Sequence, residues 1–155
     1  MRPCVNKVKV STLRMLLVGC IPLICFGCIL NGRSAAADEP SVLKVVNWNV
    51  LYGFNHKKSI EQGVDWIRSQ QADVVAVQEL NGHTEAGLRK LAGDWGHAHA
   101  AILKEKGFPV GLTSNQPIKV IKRRVAGFHH GYLHCKTQGI HFFVVHFWPG
   151  KYNEV

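Results

Sequence analysis

The apolar positions predict strands that alternate with helices over residues 42–92, and short strands alone from Gly96 onward. Residues 42–50 and 73–78 are apolar on both faces, the pattern of strands that are covered on both sides of a sheet. Between them, Ile60, Val64 and Ile67 recur at helical spacing. The order strand, helix, strand predicts two neighbouring parallel strands joined by a crossover.

Capping signals mark the beginnings of two predicted helices. The first covers residues 59–70, with Ser59 as the N-cap and Gln62 three residues later, which together form a capping-box pattern. A second, weaker helix is predicted over residues 83–92, with Thr84 as its cap. Each helix has an apolar stripe on one side, so both are expected to pack on a sheet.

From Gly96 onward the pattern is that of short strands separated by Gly, Pro and Asn turns. Five strands are predicted, over residues 97–103, 110–114, 117–125, 131–136 and 140–147. The last is the most hydrophobic and is expected to be central, and Gln138-Gly139 indicates a hairpin before it. The pattern as a whole predicts an α/β fold with one mixed β-sheet and helices on one face, and leaves the other face of the sheet uncovered.

The first 37 residues have the three parts of a secretory signal peptide and are expected to lie outside the fold. Residues 1–14 are basic without an acid, residues 15–30 are almost wholly apolar, and residues 34–37 supply the small side chains of a cleavage site before Asp38. The apolar run is short for a membrane span. The chain is therefore expected to be exported, either secreted or periplasmic, with its domain at residues 38–155; an uncleaved membrane anchor is the alternative.

Cleavage would change both the charge and the cysteine content. The whole chain has 19 Lys and Arg against 10 Asp and Glu, and five of the basic residues but none of the acids lie in the first 37, which leaves a net charge of +4. That mild charge permits a polyanionic partner without requiring one. Only Cys135 follows the cleavage site, so no disulfide can form within residues 38–155, and Cys135 is expected to be a small buried hydrophobe.

Two polar side chains, Asn49 and Glu79, stand at the ends of the two parallel strands. The carboxyl ends of such strands meet at the edge where open α/β sheets bind ligands. An amide and a carboxylate are therefore expected to converge at one place, where a hard cation and a phosphate can bind.

Four segments resemble motifs of the endonuclease/exonuclease/phosphatase superfamily, whose fold is that of deoxyribonuclease I. They are residues 43–50, residues 73–79 ending in Gln78-Glu79, residues 107–114 followed by Pro117-Ile118, and residues 144–149 containing His146. The resemblance implies half of a four-layer α/β sandwich, the N-terminal half of the domain. Two later motifs of the family, an Asp-x-Asn and a terminal Asp-His, have no match in the 155 residues.

The resemblance implies a phosphoester hydrolase that uses Mg²⁺ or Mn²⁺. Glu79 would hold the metal, Asn49 would orient the carboxylate or the attacking water, and His146 would donate to a phosphate oxygen. The substrate could be nucleic acid, phospholipid or a small phosphoester, with no obligate membrane partner after cleavage. Because the later motifs have no match, this truncated chain is expected to be inactive alone and able to self-associate through its uncovered sheet face. The alternative is a non-catalytic remnant or binding fragment of the family.

Structural explanations compete with each functional one. Glu79 could be a solvated loop residue, Asn49 a turn former, and His146 a buried core histidine. Tyr52 and Trp148 could stack on a substrate or simply pack. A zinc site is a further alternative, formed by two histidines on one strand face together with a third from a later segment: His97, His99, and His129, His130 or His134.

One basic cluster has two explanations that the sequence leaves open. Its members are Lys119, Lys122, Arg123 and Arg124. They could follow a phosphate backbone. They could equally be the charged outer side of an edge strand, where charge prevents pairing with other chains.

Overall fold

The computed structural model describes residues 3–10 and 41–147. They form three layers: two helices, a five-stranded sheet and a three-stranded sheet. The strands are β1 Cys4–Val10, β2 Ser41–Asn49, β3 Val74–Gln78, β4 His99–Ile102, β5 Val110–Ser114, β6 Lys119–Arg124, β7 Tyr132–Thr137 and β8 Ile140–Val145, and the helices are α1 Ile60–Gln70 and α2 Glu85–Gly93. Neither helix of the described residues is long and apolar enough to cross a membrane.

The larger sheet has the order β1-β2-β3-β5-β4. β2 and β3 are parallel, with Asn49 opposite Gln78, and the other neighbouring pairs are antiparallel. The predicted crossover through α1 is therefore confirmed, and it brings the ends of β2 and β3 to the same edge of the sheet.

Strand β1 was not expected from the sequence. Its residues belong to the predicted signal peptide, which was expected to lie outside the fold. The strand pairs with β2 from Cys4 opposite Asn47 to Val10 opposite Ser41. Without it, β2 would present a row of unpaired backbone groups, a surface that readily accepts another strand. Cleavage before Asp38 would remove this strand and stays a prediction; residues 11–40, which contain the rest of the segment, lie outside the described residues.

The helices cover one face of the larger sheet, as predicted. Val64 and Ile67 of α1 and Leu88 of α2 are buried against Val75 and Val77 of β3. The two helices differ in whether the side chain of the N-cap residue makes a capping hydrogen bond. The Thr84 hydroxyl accepts a hydrogen bond from the Gly87 backbone N–H at 3.0 Å, which confirms that cap.

The capping box predicted at Ser59 is wrong. Ser59 is the N-cap of α1, but its side chain makes no capping hydrogen bond. The Ser59 hydroxyl instead donates to the Phe54 carbonyl oxygen at 3.0 Å. The reason is the preceding turn, which brings that carbonyl group within reach of the hydroxyl.

The three later strands form a sheet of their own, with the order β6-β7-β8. Leu133 and Cys135 of β7 and Val144 of β8 pack against Val74 and Leu112 of the larger sheet. The α/β class with helices on one face is confirmed, whereas the single mixed sheet becomes two sheets. Because the smaller sheet lies over the opposite face, much of the surface that was expected to be uncovered is buried.

The hairpin at Gln138-Gly139 is confirmed, with both residues at positive φ (53° and 75°), as a tight two-residue turn requires. Strand β8, however, is at the edge of its sheet, and the expectation that it is central is wrong. Its apolar side chains alternate between two environments: Val144 is 3% exposed and Phe143 is 61% exposed. Hydrophobicity alone does not distinguish these two faces.

Candidate active site

A cavity of about 1070 Å³ opens between the two sheets. Val45 and Ala76 of the larger sheet form one wall and Phe142 and Val144 of β8 form the other. Its polar lining residues include Asn49 at the end of β2, Glu79 just after β3, and His146 just after β8. The structure thus brings together the three residues that the sequence singles out, and their roles stay predictions.

The Glu79 carboxylate is held by two hydrogen bonds. The Asn49 side-chain amide donates to Oε1 at 2.8 Å, and the Tyr52 backbone N–H donates to Oε2 at 3.0 Å. Glu79 is only 8% exposed. A nearly buried carboxylate that accepts oriented donors has a fixed direction, and a solvated loop residue would not.

A left-handed turn, Leu51–Asn55, supplies one of these donors. Tyr52 and Phe54 have φ values of 47° and 61°, in a region that side chains other than glycine seldom adopt. The Gly53 backbone N–H donates to the Glu79 carbonyl oxygen at 2.7 Å, and Phe54 is buried at 2% exposure. A Cβ added at Gly53 would overlap the Asn81 carbonyl oxygen. The turn is therefore fitted closely against the residue that carries the carboxylate.

His146 approaches the same carboxylate from the other sheet. Its Nε2 lies 3.5 Å from Glu79 Oε1, and its ring stacks on His130 with centroids 4.5 Å apart. Burial lowers the pKa of His146, His129 lowers it further, and Glu79 opposes the shift. His146 is therefore neutral at pH 7, and with its proton on Nε2 it can donate to an oxygen in the cavity.

His130 and Phe108 are site residues that sequence reasoning largely missed. The Phe108 ring lies 5.4 Å from that of His130, 6.1 Å from that of His146 and 5.5 Å from that of Tyr52. His130 is buried, and burial is the main reason that its pKa falls to about 4, with the charges of His146, His129 and Lys104 adding to the effect and Glu79 opposing it. His130 is therefore neutral at pH 7. Neither residue ends a strand, so the strand pattern gives no signal for them.

The low pKa of His130 predicts a loss of stability in mild acid. Between pH 6.5 and about 4 the unfolded chain binds a proton at this residue and the folded chain does not, so the free energy of unfolding should fall as the pH falls. His146 and His83 shift in the same direction. We expect His130→Gln to make this dependence less steep by about 1 kcal/mol per pH unit. Urea unfolding at intervals from pH 8 to pH 5 measures it, with the two proteins expected to have parallel curves above pH 7. Parallel curves below pH 6.5 as well would contradict the prediction.

The zinc alternative is not supported by the geometry. Both ring nitrogens of His97 are occupied, Nδ1 with the Thr113 hydroxyl and Nε2 with the Ala72 carbonyl oxygen, each at 2.8 Å. Within residues 3–10 and 41–147, no group of three or more His, Cys, Asp or Glu could hold a metal ion. His97 is instead a buried core residue. Cys135 is also buried, which raises its pKa to about 11 and confirms its packing role.

The residues at the cavity fit a hard divalent cation with few protein ligands. Each oxygen of the Glu79 carboxylate accepts one hydrogen bond and keeps a further acceptor position. Mg²⁺ commonly binds through one or two carboxylates and completes its coordination with waters and substrate phosphate. One anchored carboxylate beside an open cavity suits such an ion, and it does not suit zinc.

Comparisons with other proteins concern the fold. No protein-family model matches the chain, and no curated protein matches it. The chain is similar to a humanized TDP2 of D. rerio with 14 mutations, at 17% identity and a TM-score of 0.47 over 65% of this chain and 47% of that one. It is also similar to an AP endonuclease from Archaeoglobus fulgidus, at 17% identity and a TM-score of 0.46 over 65% of this chain and 39% of that one.

The chain therefore spans less than half the length of either structure. At these TM-scores the likeness decides nothing about the chemistry of this chain, and its function must be inferred from its own residues.

Proposed function

We propose that the chain is part of a metal-dependent phosphoester hydrolase of the endonuclease/exonuclease/phosphatase superfamily. The observation that supports this most directly is the meeting of Asn49, Glu79 and His146 around one cavity, although they come from the ends of three different strands. A carboxylate, an amide and a neutral imidazole at one place provide a cation ligand, an orienting donor and a donor to developing negative charge.

Each residue has a role that follows from its contacts. Glu79 would hold Mg²⁺ or Mn²⁺, which when bound would neutralise negative charge on the substrate phosphate and leaving oxygen. Asn49 fixes the direction of the carboxylate through its 2.8 Å hydrogen bond. His146, neutral at pH 7, donates from Nε2 to a non-bridging phosphate oxygen as charge develops on it.

The surroundings of the His146 Nδ1 atom support the view that groups other than the described residues complete the site. The atom is buried, and among the described residues it has no hydrogen-bond partner. A buried ring nitrogen is usually partnered, and in a catalytic histidine that partner fixes the orientation and the protonated nitrogen. The expectation that the 155-residue chain is inactive by itself stays a prediction.

The test compares two forms of the protein. We expect the 155-residue chain to show no turnover of a bis-aryl phosphate with Mg²⁺, and the same chain joined to the C-terminal half of a family member to hydrolyse it. In the joined form, His146→Ala should lower kcat by about 10²- to 10³-fold, the usual loss when a donor to developing charge is removed. His99→Ala, on β4, is the matched control and should leave kcat unchanged.

Two results would contradict the proposal. Unchanged turnover in His146→Ala would remove that residue from the site. A folded, joined protein without chelator-sensitive hydrolysis would favour the non-catalytic binding fragment.

Export is a separate part of the proposal, supported by the basic, apolar and small-residue segments of the first 37 residues. N-terminal sequencing of exported protein should begin at Asp38. A mature protein that retains residues 15–30 would instead favour the membrane anchor.

A further inference from the structure

The His146 ring is held mainly through its face. It stacks on the ring of His130, with centroids 4.5 Å apart and an angle of 19° between the two planes. In catalytic histidines a hydrogen bond from the second ring nitrogen usually fixes the ring, but among the described residues Nδ1 of His146 has no such partner. Within this part of the chain, ring contacts are therefore the main constraint on the plane of the imidazole.

Phe108 completes a cluster of three rings. Its ring lies 5.4 Å from that of His130, at an angle of 75°, and 6.1 Å from that of His146, at an angle of 57°. Offset-stacked and edge-to-face pairs are the arrangements that aromatic rings prefer. Removal of the His130 ring would therefore break two contacts of the cluster and leave one face of His146 without its stacked neighbour.

His130 is itself fixed by its surroundings. The residue is 5% exposed, and its Nε2 lies 3.2 Å from Nδ1 of His129. Gly131 follows with a φ of 85°, and a Cβ added there would overlap the Arg124 carbonyl oxygen. The backbone beside His130 therefore lies directly against the end of β6, with no room for a side chain. A ring on such a backbone gives its neighbour a rigid surface on which to stack.

The plane of the His146 ring determines the direction of its Nε2 atom. That atom lies 3.5 Å from Glu79 Oε1, at the cavity. A hydrogen bond weakens steeply as the donor turns away from its acceptor. A donor that is already oriented stabilises developing charge without a reorganisation during the reaction. A residue that fixes the plane of His146 can therefore affect the reaction without touching the phosphate.

We propose that His130 is a positioning residue, whose stacked ring holds His146 in the orientation that directs its Nε2–H toward the phosphate beside Glu79. The effect on turnover rests on the proposed function, whereas the orientation is a property of the 155-residue chain. Two other roles would also explain a buried imidazole at this place. His130 lines the cavity and could donate to the substrate itself, or it could only fill space between its neighbours.

Two substitutions separate stacking from the other roles. His130→Phe keeps a flat ring and removes the ring nitrogens, whereas His130→Gln keeps a polar side chain and removes the ring. Stacking predicts that His130→Phe preserves the orientation of His146 and that His130→Gln loses it. A hydrogen bond from His130 to the substrate predicts the reverse order of activity.

Proton–nitrogen correlation spectra of the 155-residue chain at about pH 8, where the imidazoles are neutral, measure the orientation. The His146 signals are assigned from their loss in His146→Ala. In the wild type we expect the proton on Nε2, because that nitrogen approaches an acceptor, Glu79 Oε1. His130→Gln should move both ring nitrogens of His146 toward the averaged shifts of two exchanging tautomers. His130→Phe and the control His99→Ala, on β4, should keep the Nε2–H tautomer.

Turnover by the joined, hydrolysing form measures the consequence. His130→Gln should lower kcat by about 10- to 100-fold, the cost of a small misplacement of a reacting group. KM should change by less than about twofold, because the contacts that bind the substrate are kept. His130→Phe should have a kcat closer to that of the wild type than to that of His130→Gln. When His146→Ala is already present, His130→Gln should lower kcat by less than about twofold further, since it acts through His146.

Three results would overturn the inference. An equal loss of kcat with and without His146 would mean that His130 donates to the substrate or only maintains the fold. Retention of the Nε2–H tautomer in His130→Gln would mean that stacking does not orient the ring. A His130→Phe protein that unfolds in urea like the wild type and yet loses the tautomer would mean the same.

Failure of this inference is distinguishable from failure of the proposed function. If the joined protein does not hydrolyse the substrate, the proposed function fails, and the tautomers of His130→Gln and His130→Phe still decide the orientation. If the joined protein hydrolyses it and His130→Gln keeps both the tautomer and kcat of the wild type, the positioning role fails and the proposed function stands.

Discussion

Glu79→Gln should weaken Mn²⁺ binding to the chain and, in a hydrolysing form of the protein, lower kcat by about 10³-fold or more. The substitution removes the negative charge that attracts the cation. It also introduces a mismatch, because a Gln side chain has one acceptor oxygen and one donor amide. Asn49 and the Tyr52 backbone N–H both donate to the carboxylate, so one of them would face another donor.

Titration calorimetry with Mn²⁺ measures the binding part of this prediction, and turnover of a bis-aryl phosphate measures the catalytic part. Glu61→Gln is the matched control, since Glu61 is an exposed carboxylate in the first turn of α1. The control should leave both quantities unchanged. If Mn²⁺ affinity is the same in Glu79→Gln and in the wild type, Glu79 is not the metal ligand.

Leu133→Ala should lower the free energy of unfolding by about 2–5 kcal/mol, the range for removing a buried leucine side chain. Leu133 of β7 is fully buried between the two sheets, among Val74, Leu112 and Val144. Urea unfolding measures the loss. Ile121→Ala is the matched control: Ile121 is on the same sheet but 43% exposed, and exposed substitutions usually change stability by less than 0.5 kcal/mol.

The same variant tests whether the smaller sheet holds His146 in place. If the packing of Leu133 positions that sheet, Leu133→Ala should increase amide hydrogen exchange in β7 and β8 more than in β3. A loss of stability close to that of Ile121→Ala would mean that the interface between the sheets contributes little.

Much of the larger sheet could be predicted because its signals are local. The helical repeat of Ile60, Val64 and Ile67 and the apolar strands on either side of it determine a crossover, and the crossover determines that Asn49 and Glu79 meet. The end of a buried strand is a strong indication of a site because the topology leaves few other positions for it.

The arrangement of the smaller sheet depends on information that the sequence pattern lacks. An alternating strand has the same pattern whether it extends one sheet or begins another, so the separation of β6, β7 and β8 could not be inferred. The exposure of Phe143 depends on which layer covers it. His130 reaches His146 through a loop, and no periodic pattern determines the position of a loop residue.

The three residues proposed to act together at the cavity lie far apart along the chain, at positions 49, 79 and 146. Contacts between residues so distant in sequence form slowly, because the long intervening loops must close before any contact is gained. A chain emerging from the ribosome brings Asn49 and Glu79 together long before His146 has been synthesised. Hydrolysis should therefore be among the last properties that a newly made chain acquires, and a chain that crosses a membrane unfolded would carry no active site on the way.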